Sequence, residues 1–259
     1  MSAPGRDPLP LRGRAALVTG VSRRAGIGHA VARQLSALGA RLFLHHYAPH
    51  DRDQPWGADP GGVPDLGAAG ELSLDLAGPE APARLVDAAA AALGHLDIVV
   101  CNHARSGGDG PLGTLDARML DAHWAVNARS VILLAQAFAA RHDGRPGGRI
   151  VFLTSGQDLG PMPGEVAYAA SKGALASVAR TLADQLADRA ITLNCVNPGP
   201  VDTGGYPPEV LDALRRRFPR GRWGTPEDPA RLIGWLATDE AAWITGQVIS
   251  SEGGFRRWD

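Results

Sequence analysis

An alternation that repeats almost to the end of the chain limits its fold more than any other feature. Short β-branched and apolar runs are separated by long alanine- and leucine-rich stretches of helical periodicity, the order expected of a parallel α/β sheet doubly wound by helices on both faces. "AALVTG" and "ARLFLHHY" read as the first two strands, with "GHAVARQLSALG" between them as a helix closed by Gly39. "ELSLDL", "LDIVVCNHA", "RIVFLTS" and "ITLNCVNPG" are further strands, and "GQVISSEGG" is a last one. The helices "APARLVDAAAAALG", "DARMLDAHWAVNARSVILLAQAFAARH" and "YAASKGALASVARTLADQLADR" run between them. In the last, Leu175, Val178, Leu182 and Leu186 share one face, which should pack on the sheet. The connection "APHDRDQPWGADPGGVPDLGAAG" breaks the rhythm, since its prolines and glycines leave room for a loop with at most a stunted helix.

The 259 residues show no compositional break, so a single domain over residues 13–259 is expected. Residues 1–12 are rich in proline and charge without the apolar core of a secretory signal, and read as a disordered tag. A formal net charge of −1 carries neither a nucleic-acid footprint nor a membrane-surface pattern. The longest apolar helix stretch, "SVILLAQAFAA", is too short to span a bilayer and is bracketed by Arg129 and Arg141. A soluble cytoplasmic protein with a small-molecule partner is expected, and no membrane or nucleic-acid partner. Cys101 and Cys195 lie in apolar strand-like runs and read as buried free thiols. No cysteine, histidine or carboxylate spacing suggests a metal site.

Chemistry first shows in "TGVSRRAGIG", Thr19 to Gly28, between the first strand and the first helix. Unpaired backbone N–H groups and the helix dipole there face any bound phosphate, and Gly20, Gly26 and Gly28 allow close approach. Further on, "YAASK" puts Tyr168 and Lys172 four apart on one helix face. A phenol titrates near pH 10, and a neighbouring ammonium in a dry cleft can bring it into acid/base range. Taken singly, a glycine turn is often only structural, and a Tyr-x-x-x-Lys pair often reaches to solvent.

These motifs do not stand singly. Ser155 lies thirteen residues before Tyr168 at a strand end, Asn127 sits in "HWAVNARS", and "CNHA" and "NPGPVDTG" follow two other strands. From the glycine turn to "TGQVISSEGG" the chain resembles the classical short-chain dehydrogenase/reductase family, in particular 3-oxoacyl-carrier-protein reductases. The resemblance implies a single Rossmann-type domain and a catalytic tetrad of Asn127, Ser155, Tyr168 and Lys172. By it, Ser155 polarises a substrate carbonyl and Tyr168 gives the proton. Lys172 holds the nicotinamide ribose and lowers the tyrosine pKa, while Asn127 keeps a relay water.

The same resemblance places a dinucleotide on Gly20, Ser22, Arg23, Arg24, Gly26, Ile27 and Gly28. It adds Asp75 and Leu76 at the adenine edge, Asn102, His103 and Ala104 near the ribose, and Pro198, Gly199, Val201 and Thr203 at the nicotinamide end, with Tyr168 and Lys172 also touching the cofactor. The chain departs from the family in two places. Five residues, "VSRRA", replace three between the first two glycines, and His103 and Ala104 replace a small residue and a glycine, His103 reading as structural rather than catalytic.

No acid follows the second strand, while Arg23 and Arg24 offer guanidinium groups to a 2′-phosphate, with His46 beside them and His45 and His50 near. NADP(H) is therefore expected over NAD(H), and a ketoreductase acting on a carbonyl or secondary alcohol is the leading activity. An NAD-dependent alcohol or sugar dehydrogenase is one alternative, and a non-catalytic dinucleotide-binding regulator another. Residues 204–224 fall where the family carries a substrate lid. Arg215, Arg216, Arg217, Arg220 and Arg222 there either face water or receive an anionic partner. Met162 and Trp223 offer apolar contacts. Alanine-rich faces on the Asn127 and Tyr168 helices suit a homodimer or homotetramer.

Overall fold

The computed structural model describes residues 7–62 and 65–258. Seven strands, β1 Ala15–Val18, β2 Arg41–His46, β3 Gly70–Ser73, β4 Ile98–Cys101, β5 Gly148–Leu153, β6 Ile191–Asn197 and β7 Val248–Ser250, form one sheet in the order β3-β2-β1-β4-β5-β6-β7. All six pairings are parallel. The order reverses between β1 and β4, so the chain leaves these two strands toward opposite sides and opens a crevice at their carboxyl ends. The expected Rossmann-type architecture is the one observed.

Helices α1 Ile27–Ala37 and α8 Glu227–Leu236 cover one face, while α3 Ala81–Leu93, α5 Ser130–Arg141 and α6 Val166–Ala187 cover the other. Two apolar layers result, one around Val31, Leu35, Val100 and Ile233, the other around Leu85, Val99, Phe138 and Leu175. Central strands β1 and β4 are buried along their whole length. Each buried leucine, isoleucine or valine there contributes roughly 1.5–3 kcal/mol.

Several expectations change in detail. Leu11 is buried on the α1/α8 side and its N–H bonds the Leu38 carbonyl, so residues 7–12 pack on the domain and are not a disordered tag; residues 1–6 lie outside the described residues. The buried stripe of α6 is Leu175, Ala179, Ala183 and Leu186, while Val178 and Leu182 are only half-buried, because α6 is rotated to bring Ser171 and Lys172 inward. The long helix expected over Asp116–His142 divides into α4 Ala117–His123, a π-helical turn Trp124–Arg129, and α5. Such turns add a residue to the helical spacing and mark functional positions. The irregular connection after β2 carries one short helix, α2 Ala48–Arg52, as expected. Helix α7, Pro208–Arg215, lies within residues 204–224, where a lid is expected. No helix among the described residues is long and apolar enough to cross a membrane.

Candidate active site

A cleft of about 1160 Å³ lies over the carboxyl ends of the strands, from the glycine turn on one side to Tyr168 on the other. Its floor is built from the interstrand cross-links that the parallel sheet makes possible. Asn102, one residue past β4, donates its amide to the Thr19 and Gly20 carbonyls, each at 3.0 Å, and so ties the end of β4 to the turn after β1. Gly20 takes a left-handed φ of +72°, and a Cβ on Gly28 would stand 2.3 Å from the Gly20 carbonyl oxygen. The first turn of α1 can approach the strand end only because that Cβ is missing.

His45 holds the same turn from β2. Its Nε2 lies 2.8 Å from the Leu74 carbonyl and must donate there, leaving Nδ1 to accept the Gly20 N–H at 3.3 Å. Burial lowers its pKa to about 4, so the ring stays neutral. The His103 ring is buried and held between Thr19 and Ser130. The Ser130 hydroxyl gives its proton to the Val126 carbonyl at 2.6 Å, so His103 Nε2 donates to Ser130 and Nδ1 accepts from Thr19 at 2.7 Å. Burial pushes its pKa well down as well. His103 also lines the cleft, beside Ala104 and Asn102.

Among the remaining dinucleotide residues, Ser22, Arg23, Gly26, Ile27, Asp75, Leu76, Pro198, Gly199, Val201 and Thr203 line the cleft. Gly199 has a φ of +66°, and a Cβ there would meet Glu252 at 2.8 Å. Two assignments need correction. Arg24 turns away, with its N–H on Asp59 at 2.6 Å and its side chain more than half exposed, because Asp59 in the post-β2 loop draws it outward. His46 is absent from the cleft wall, since the alternation along β2 sends His45 inward and His46 to the other side. Tyr47 takes the place at the cleft instead, anchored by its N–H on Ser22 at 3.3 Å. Arg23 reaches the cleft, donates to the Thr203 carbonyl at 3.0 Å and lies 5.6 Å from the Trp56 ring centroid, while its buried Nε has no protein partner.

The reactive end joins β5, the π-helical turn and α6. Ser155 follows β5 and shares the cleft with Tyr168, where its hydroxyl favours the ionised phenol. Lys172, the only lysine in the chain, is buried one turn along α6, donates to the Leu153 carbonyl at 2.8 Å and sits 5.7 Å from the Tyr168 ring centroid. Burial lowers its pKa to about 8. The expected depression of the tyrosine pKa is not found. Burial raises the Tyr168 pKa, Glu165 raises it further, and the Ser155 hydroxyl opposes them, so the phenol is fully protonated near neutral pH. Asn127 is wholly buried, receives the Arg105 N–H at 2.6 Å, and donates to the Arg105 carbonyl at 3.2 Å and to Ser171 at 3.0 Å. Its amide therefore fixes the β4–α4 loop to α6.

The lid arginines mostly face water. Arg215 pairs with Asp212 at 2.9 Å and Arg222 with Asp228 at 2.6 Å, while Arg217 lines the cleft and bonds the C-terminal segment. Trp223 packs with Tyr206 and Phe218, and Met162 is on the cleft wall. Sequence reasoning missed Arg105, Asp109, His123 and Trp56, because their partners are remote in the chain; Asp109 meets α6 from 58 residues away. Both cysteines are buried free thiols, as expected.

The family model described as enoyl-(acyl carrier protein) reductase matches residues 20–256. An uncharacterised oxidoreductase of Bacillus subtilis (strain 168), YjdA, is 42% identical over 252 residues, covering 93% of this chain and 96% of its own length. An NADPH-dependent aldehyde reductase-like chloroplastic protein of Arabidopsis thaliana is 32% identical over 275 residues, 98% of either chain. A short-chain dehydrogenase from Burkholderia cenocepacia J2315, solved in complex with NADP, aligns with a TM-score of 0.80 at 34% identity, covering 96% of this chain and 99% of that one.

Proposed function

Because the chain belongs to the short-chain dehydrogenase/reductase family of oxidoreductases, we propose that it is an NADP(H)-dependent ketoreductase interconverting a carbonyl and a secondary alcohol. The observation that carries this reading is that Ser155 and Tyr168 meet in one cleft, with the buried Lys172 one helical turn away and 5.7 Å from the Tyr168 ring. The cleft fits a dinucleotide on its own terms. The Gly20–Gly28 approach leaves backbone where a side chain would intrude, and Arg23 holds a buried Nε donor without a protein partner.

A bound nicotinamide supplies the hydride. Ser155 orients the carbonyl and polarises it by hydrogen bonding. Tyr168, protonated at neutral pH, gives its hydroxyl proton to the oxygen as it becomes an alkoxide; in the reverse direction it takes that proton back. Lys172, with a pKa of about 8, brings an ammonium to the tyrosine's side of the cleft and binds ribose hydroxyls. Asn127 holds the loop and α6 in register. Arg23 receives the 2′-phosphate, a reading supported by the NADP and NADPH named for a neighbour and a relative. Assembly through α5 and α6 into a homodimer or homotetramer accompanies this reading, and sedimentation at working concentration tests it.

Calorimetric titration with NADPH and NADH, followed by a carbonyl panel with the tighter cofactor, tests the proposal. Tighter NADPH binding and turnover abolished by Tyr168→Phe are expected. Turnover that survives Tyr168→Phe refutes it.

A further inference from the structure

We infer that Asp109, on the loop between β4 and α4, is a positioning residue whose carboxylate caps the catalytic helix and sets the place of the proton donor. The inference rests on the reading of Tyr168 as the acid/base. Every α-helix begins with N–H groups that have no partner within the helix. Helix α6 starts at Val166, and the residue before it, Glu165, makes no side-chain cap.

The cap comes instead from a distant loop. Asp109 Oδ1 accepts the Ala167 N–H at 3.0 Å, and Oδ2 accepts the N–H of Tyr168 itself at 2.7 Å. The adjoining Gly110 carbonyl receives the Val166 N–H at 3.4 Å. Burial pushes the Asp109 pKa up, but the bonds from Tyr168, Ala167 and Gly110 more than offset it, so the group is held as a carboxylate. An anion at a helix N-terminus also gains from the helix dipole. Because one bond ends on the backbone of Tyr168, its loss frees the proton donor and not some remote turn.

The loop is gripped from its other side too. Arg105 exchanges two hydrogen bonds with the Asn127 side chain on the π-helical turn. His123 Nε2 donates to the Gly107 carbonyl at 3.1 Å, and its ring stands edge-on to that of Tyr168 at 6.2 Å. Residues 105–110 thus bracket α6 against the π-helical turn, and Asp109 itself lines the cleft. The glycine turn and Lys172 are held by other contacts, so cofactor binding does not depend on Asp109.

The test compares the wild type, Asp109→Ala, Asp109→Asn and Tyr168→Phe. For each, NADPH stoichiometry and Kd are measured by calorimetry, then kcat per bound NADPH in carbonyl reduction and its solvent deuterium isotope effect. Asp109→Ala should keep its stoichiometry and a nearly unchanged Kd, lose about tenfold or more in kcat per bound NADPH, and show a larger isotope effect, since a misplaced donor slows proton transfer. Asp109→Asn, which keeps one acceptor oxygen, should recover part of the loss. A merely structural role lowers the folded fraction, which the stoichiometry reports, and leaves kcat per bound NADPH and the isotope effect alone; that result overturns the inference. If Asp109→Ala does not fold, Asp109→Asn decides by the same two readouts. Turnover that survives Tyr168→Phe overturns the acid/base reading and this inference with it. Turnover lost in Tyr168→Phe but unchanged in both Asp109 variants overturns this inference alone.

Discussion

Replacing Lys172 by methionine should make the ligand-free protein more stable at neutral pH while disabling it as an enzyme. Burial lowers the Lys172 pKa from 10.5 to about 8, and at about 1.4 kcal/mol per unit the fold bears a cost of about 3 kcal/mol for keeping this ammonium charged. Methionine has a similar length and no charge, and it forgoes the bond to the Leu153 carbonyl, a loss of about 1 kcal/mol. The net gain is about 2 kcal/mol, or roughly 4–8 °C in Tm for a domain of this size.

The pH dependence fixes the cause. Below pH 8 the native and unfolded chains both carry the proton, and the whole cost is present. Between about 8 and 10.5 the native state releases the proton while the unfolded state keeps it, so wild-type stability rises with pH. Above that window both states are neutral and the cost is gone. Urea unfolding of both proteins without cofactor, at pH 7 and at pH 10.5, should show the advantage of Lys172→Met at the lower pH and its disappearance at the higher. Because the chain has one lysine, NMR of lysine-labelled protein reads the same titration directly. A variant less stable than wild type at pH 7, or a stability difference equal at both pH values, would refute the reasoning.

Arg23→Ala should weaken NADPH binding by about tenfold or more, the loss of one charge-assisted contact, and NADH binding much less, whereas Arg24→Ala, which faces Asp59, should change neither; paired calorimetric titrations check this. Gly28→Ala should lose cofactor binding or folding outright, since the new Cβ would lie 2.3 Å from the Gly20 carbonyl oxygen and 2.6 Å from the Asn102 side-chain amide; thermal melts with and without NADPH separate the two. His45, neutral in the fold and lowered to about 4, gives stability that is complete above pH 6.5 and falls as pH drops toward 4, by up to about 3 kcal/mol. Acid unfolding of His45→Gln should show a shallower slope across that interval.

Much of this protein is legible in one dimension. The glycine turn, the Tyr168–Lys172 spacing and the Ser155 strand end are local patterns, and each falls on the strand, turn or helix expected of it because those elements follow directly from neighbouring residues. Arg24 and His46 show where that logic stops. Both sit within a recognisable motif, yet Asp59 pulls one outward and the alternation of β2 turns the other from the cleft. The π-helical turn was equally hidden, since a single added residue within a helix leaves the apolar periodicity on either side intact.

The parallel sheet wound by helices on both faces, and the helix that carries Tyr168 and Lys172, follow from the order and periodicity of residues, because parallel strands joined by helices have few right-handed ways to pack. Tertiary structure alone decides the rest. The protonated Tyr168 depends on burial by elements from across the chain, and the lowered pKa of Lys172 depends on a dry niche against β5. The neutral His45 and His103 take their tautomers from partners on other strands and helices. The cap that Asp109 places on α6 joins residues 58 and 59 positions apart. Solvent exclusion and hydrogen-bond closure are properties of assembled surfaces, and no stretch of neighbouring residues contains them.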